Sequence, residues 1–268
     1  MLKMHVTWPM KKVFTRLFIL FLLVSGPRIA LAQFGLPAGF DLKTFQKNED
    51  LAMWFLQYDS AWQSVASFDH LSANQDFVCY PDKKGWKVVA GTASASGFSS
   101  DAGFYQVGNK NNVTKAQKKF DTLLVSSLGR ALFNSTTELN KLNLKSAAGW
   151  RRFVKVNADQ SITVWAFCDA DASGAIWYGP ELSWYYSPNG KTLMTSKIVR
   201  KAPLMAGKAG QTLNLSCPTD KMPTVGTIWL AHKYKMNFTE INVAYKTGVS
   251  TLRYNQSEKT YSWEHNAT

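Results

Sequence analysis

Apolar residues recur along this chain in two rhythms. Between Leu51 and Val65 they fall three and four apart (Leu51, Phe55, Tyr58, Trp62, Val65), the stripe of a helix laid on a core. Asn48 precedes them as an N-cap and Glu49 and Asp50 occupy the first turn, which predicts a helix over about 49–67. A second helix is predicted over about 115–133. Thr114 and Gln117 form a capping box, and Phe120, Leu123, Leu124, Leu128, Ala131 and Leu132 form the apolar face. Ser135 with Glu138 predicts a further short helix running through Leu142.

Elsewhere the period is two. Phe77 to Tyr80 and Trp86 to Ala90 flank a Pro-Asp-Lys-Lys-Gly turn and read as a hairpin. From Trp150 to Arg200, runs rich in β-branched and aromatic residues are separated by Ala-Asp-Gln-Ser, Asp-Ala-Asp-Ala-Ser-Gly and Ser-Pro-Asn-Gly breaks, the mark of consecutive antiparallel strands. In one of them Ile162, Val164, Ala166 and Cys168 alternate with Thr163, Trp165 and Phe167. Both faces are apolar, so this strand belongs at the centre of a sheet covered on both sides. Thr227 to His232, Ile241 to Lys246, Ser250 to Tyr254 and Thr260 to Trp263 complete the set as short strands. Gly91 to Asn112, rich in Gly, Ser, Ala and Asn, reads as a long, partly extended loop. The expectation is an α+β fold: antiparallel sheet with hairpins around 77–90, 150–200 and 225–264, packed against two main amphipathic helices.

The first 32 residues stand apart from this pattern. Lys11, Lys12 and Arg16 precede an apolar run of eight from Leu17 to Val24, and Ala30-Leu31-Ala32 supplies small residues at a cleavage point. This is the layout of a secretory signal peptide cut after Ala32, and the run is too short to span a bilayer. Met10-Lys11-Lys12 would open a compact signal equally well as Met1. The mature chain, 33–268, is then expected to be a single exported α+β domain, periplasmic or extracellular, without a transmembrane span. Of 31 Lys and Arg against 18 Asp and Glu, five basic residues lie in the signal, which leaves 26 against 18. The excess lies beyond Asp82 and suits an anionic envelope component or an acidic protein partner. No nucleic-acid partner is expected.

Chemistry is sparse. Three cysteines remain after processing, and in an oxidising compartment one disulfide is expected, with Cys168 and Cys217 favoured over pairings with Cys79. Asp169, Asp171, Ser173 and Gly174 match the start of a calcium loop, but Pro180 stands where the twelfth-position acid belongs, so no metal is expected. Lys246-Thr247-Gly248 resembles a strand motif of penicillin-binding proteins, yet their Ser-x-x-Lys nucleophile is missing. The mature chain has three histidines, of which His232 is the candidate base, and no pair has metal-ligand spacing. No phosphate-cradling glycine loop and no cofactor signature is present. The ligand-binding candidates are therefore Asp169, Asp171 and His232, with Trp177 and Trp184 as sugar-stacking aromatics. The reading is a non-catalytic exported protein that binds a partner or anionic envelope component. Its alternatives are a hydrolase with an unfamiliar site and an aromatic carbohydrate-binding module.

Overall fold

The computed structural model describes residues 35–71, 75–108, 112–116, 120–144, 149–171, 174–199, 204–207 and 212–268. The segment expected to be a signal peptide and Ser173 lie outside the described residues, as do Gln117, Lys118 and Lys119. The chain folds as α+β, with three α-helices and mainly antiparallel sheets among the described residues.

Helix α1 (Leu42–Asp69) is longer than its apolar stripe. Asp41, not Asn48, caps it, accepting from the Lys43 amide at 3.1 Å, and His70 closes it in a left-handed conformation. Four strands follow in sequential order: β1 (Asp76–Asp82), β2 (Gly85–Ser94), β3 (Gly97–Val107) and β4 (Val113–Lys115). The segment read as a loop from Gly91 is thus largely strand. Its small residues serve close packing: Gly91 marks a bulge where β2 shifts register against β3, and the Tyr105 ring lies over Gly103.

Helix α2 (Thr122–Lys141) begins later than predicted and runs without a break. Its cap is Asp121, which accepts from the Leu124 amide at 2.9 Å. Thr114 lies in β4 instead, and Lys115 is ion-paired to Asp69 at 3.1 Å. Ser135 starts no new helix. It is buried mid-helix with its hydroxyl donating back to the Leu132 carbonyl.

A second four-stranded sheet is built from β5 (Arg151–Val156), β6 (Ile162–Phe167), β8 (Glu181–Tyr186) and β9 (Leu193–Ile198), in that order. β6 is central and buried on both faces, as its sequence required. Phe55 of α1 packs against Trp165 and Phe167 on one face, and α2 lies against β5 and β6. The Ser187–Gly190 turn docks on α2: Arg130 Nε donates to the Asn189 carbonyl at 2.7 Å, and Asn134 donates to the Gly190 carbonyl at 3.0 Å. Gly190 has φ of 73°, and a Cβ there would run into the Ser127 carbonyl.

β7 (Ile176–Tyr178) pairs with β10 (Leu204–Gly207) in a small ribbon. The last sheet has the order β11 (Thr212–Cys217), β12 (Glu240–Tyr245), β13 (Gly248–Asn255), β14 (Thr260–Ala267). Here the structure corrects an expectation. Residues 225–234 are not part of a hairpin but form helix α3 (Val225–Tyr234). β11 and β12 are parallel, and a parallel pair needs a crossover connection, which α3 supplies. Thr227 to His232 is buried all round in this helix, so it carries no helical stripe and its apolar run imitates a strand. None of the described helices is long and apolar enough to cross a membrane.

Candidate functional site

The residues singled out in the sequence fall into two polar networks anchored on α3. The first is built on Asp59, which sits in the buried stripe of α1 and is 4% exposed. Arg151 reaches Asp59 Oδ1 at 3.1 Å and Asp169 Oδ2 at 3.7 Å. The Lys233 ammonium lies between the same two acids, ion-paired to Asp169 and 3.6 Å from Asp59 Oδ2. Tyr234 donates its hydroxyl proton to Asp169, and Gln63 donates to Asp59 at 3.1 Å. Burial pushes the Asp169 carboxyl up, but the Lys233 charge and the Lys233 and Tyr234 hydrogen bonds outweigh it and hold it below its ordinary value. Two acids and two bases neutralise each other here and tie α1, β5, the end of β6 and α3 together.

The second network uses the neighbouring position on α3. His232 Nε2 is 3.0 Å from Glu49 Oε1, and Trp263 Nε1 donates to the same carboxylate oxygen at 3.0 Å. The His232 hydrogen bond lowers the Glu49 pKa against the opposing effect of burial. His265 stands nearby with Nδ1 2.7 Å from the Ser250 hydroxyl. Burial pushes this imidazole down to about 4, against the pull of Glu49. Ser250 is fully enclosed, so the Ser250–His265 pair offers no nucleophile to a substrate. Asp169 and His232, one residue apart in their α3 contacts, therefore belong to separate networks.

The other candidates disperse. Asp171 accepts from Trp177 Nε1 at 2.8 Å and from the Ala175 amide at 3.1 Å, shaping its own turn. Trp184 is 3% exposed and belongs to the core, and Trp177 is half-buried under that bond to Asp171. No flat row of exposed tryptophans is formed by Trp165, Trp177 and Trp184. The expected Cys168–Cys217 disulfide is also not formed: Cys79, Cys168 and Cys217 are all buried thiols. Cys217 turns instead into a hydroxyl cluster, 3.7 Å from Thr227 Oγ1, while Thr224 beside it donates to the buried carboxylate of Glu181. Glu181 lies against Gly226 in the first turn of α3, where the helix dipole favours an anion.

A feature that no motif signals lies between the first two sheets. β1 and β5 are edge strands that run side by side without a hydrogen-bond ladder. At one end Arg152 pairs with Asp76 at 3.2 Å; further on, Cys79 to Pro81 face Val154 to Val156 across a cavity, so the strands run in the same direction. Helix α2 lies along this seam with Leu124, Leu128 and Leu132, and α1 follows it with Trp54, Tyr58 and Trp62. Midway, the buried Tyr58 hydroxyl faces the backbone of Cys79 and Val154 and has no hydrogen-bond partner among the described residues. The end near Asp76 holds a polar recess of about 270 Å³ lined by Gln75, Trp150, Arg151 and Arg152. The far end holds an apolar one of about 220 Å³.

No family model, curated protein or solved structure matches this chain. Its site must be read from its own geometry. Asp59, Arg151 and Lys233 were missed in the sequence, although a signal existed. Asp59 falls four residues after Phe55 and three before Trp62, on the apolar face of a helix, where an acid demands a buried cation. Nothing in the sequence marks the seam, because it is made by residues some 76 positions apart.

Proposed function

We propose that this protein is an exported, non-catalytic protein that binds an anionic component of the cell envelope, namely an anionic lipid surface. The observation that carries the reading is β9. All six of its residues are exposed, including Leu193, Ile198 and Met194, the last at 60%. Among the described residues it is an edge strand with no further strand paired to it, and Lys191 and Lys197 are exposed beside the apolar residues. Proteins generally guard such an edge with charge or a covering element. Apolar side chains flanked by lysines suit the boundary between acyl chains and anionic head groups. The first network on α3 supports the non-catalytic part, since its two carboxylates are ion-paired to Arg151 and Lys233.

Co-sedimentation of the processed chain with vesicles tests this. Binding is expected to vesicles containing phosphatidylglycerol and not to pure phosphatidylcholine, and to weaken at high salt. Met194→Asp is expected to reduce binding at least tenfold. Lys191→Glu with Lys197→Glu is expected to abolish the salt dependence. Absence of binding at low salt, or binding indifferent to all three substitutions, would overturn the reading.

A further inference from the structure

The apolar recess at the far end of the β1–β5 seam has walls of one kind and a rim of another. Leu124 and Leu128 of α2, Trp54 of α1, Cys79 and Pro81 of β1 and Val154 and Val156 of β5 enclose it. Two polar groups border it. The Lys155 ammonium lies 5.1 Å over the Trp54 ring and has no carboxylate partner among the described residues. The Tyr80 hydroxyl is buried, lies beside Asp121, and has no hydrogen-bond partner among the described residues. The carboxylate of Asp121 is occupied as the cap of α2. A cavity in a close-packed interior forfeits dispersion contacts along its whole lining. A buried hydroxyl left unmatched adds to that cost.

We propose that this recess is a binding site for a small amphiphile: a hydrocarbon chain or ring of about seven or eight carbons bearing a carboxylate. The volume sets the length. About 220 Å³, at roughly 30 Å³ for each water-sized group, accommodates about seven such groups. The rim sets the head: the Lys155 ammonium over Trp54, with no carboxylate partner among the described residues, favours an anionic acceptor over a cation or a neutral alcohol. The site is independent of β9 and of the lipid-surface reading, because it is enclosed by other elements and takes a free molecule.

Titration of the full processed chain with sodium octanoate, followed by calorimetry and by chemical-shift changes at Leu124, Leu128 and Val154, tests the proposal. One saturable site with Kd on the order of 0.1 mM is expected. Octylamine and octyl glucoside are expected to bind at least tenfold more weakly. Lys155→Met is expected to weaken octanoate about tenfold. Leu124→Trp, which fills the recess from its rim, is expected to abolish binding while the circular dichroism spectrum and melting midpoint stay those of a folded chain. Failure of octanoate to saturate would sink the idea. Equal binding of octylamine or octyl glucoside would remove the anionic head. Unaltered binding to a folded Leu124→Trp variant would place the ligand elsewhere. Loss of vesicle binding in Leu124→Trp without any octanoate binding would assign the recess to lipid tails and overturn a free ligand.

Discussion

Lys233 is the residue on which most of the buried charge depends. It stands between Asp59 and Asp169, both largely removed from water. Lys233→Met leaves Arg151 alone to balance two acids, and a broken buried pair of this kind costs about 3 kcal/mol. Urea denaturation should show that loss, and adding Asp169→Leu to Lys233→Met should restore part of it, since the two act on one network. Tyr58 predicts the opposite sign. Its hydroxyl is buried without a partner, so Tyr58→Phe should leave stability unchanged or raise it by up to about 1 kcal/mol. His265 predicts a pH dependence. Its folded pKa of about 4 lies below the ordinary 6.5. The unfolded chain therefore binds the proton first as pH falls, so the stability contributed is complete above pH 6.5 and is lost progressively down to about 4. Glu49, also lowered, acts in the same direction at the acid end of that range. In His265→Gln the decline between pH 6.5 and 4 should flatten, as read from unfolding free energies at each pH.

At the scale of elements, legibility followed burial geometry. β6 and the hairpin of β1 and β2 were readable because alternation survives when one or both faces of a strand are covered by partners of the same kind. The stripe of α1 was readable, but its ends were not. Asn48 and Asp41 are both good caps, and only the second has the amide of Lys43 within reach. α3 was misread because burial on every side erases its period, and the parallel pairing that demands a crossover is a long-range fact. β3 was hidden by the Gly and Ser that its close contacts require. Two glycines make these contacts testable. Gly190→Ala meets both a left-handed backbone and the Ser127 carbonyl, and should cost about 2 kcal/mol or more. Gly226→Ala drives a methyl into Glu181 at the start of α3, and a lowered thermal midpoint should accompany it. Asp169 and His232 were read as ligand-binding candidates, and alternation along the chain gave no sign of the groups they meet: Arg151, Lys233 and Tyr234 around Asp169, and Glu49 and Trp263 around His232.

For the whole molecule, the way the first two sheets meet has a mechanical consequence. Eight strands stand in one row, β4-β3-β2-β1 followed by β5-β6-β8-β9, yet the row is laced by amide bonds everywhere except between its middle pair. Side chains alone bridge that gap: the Asp76–Arg152 ion pair, the ring of Tyr58 and the leucines of α2. A load that parts the two halves would meet no backbone ladder, only side-chain contacts and the helices α1 and α2 that lie across both halves, whereas a load along any other interval would have to shear a ladder. Amide protons on the facing edges of β1 and β5 should accordingly exchange with deuterium sooner than those of β2 and β6, by a route that opens the row at its centre and leaves each half laced. Filling the recess beside that opening would then act as a wedge glued in a joint, slowing exchange on both edges at once.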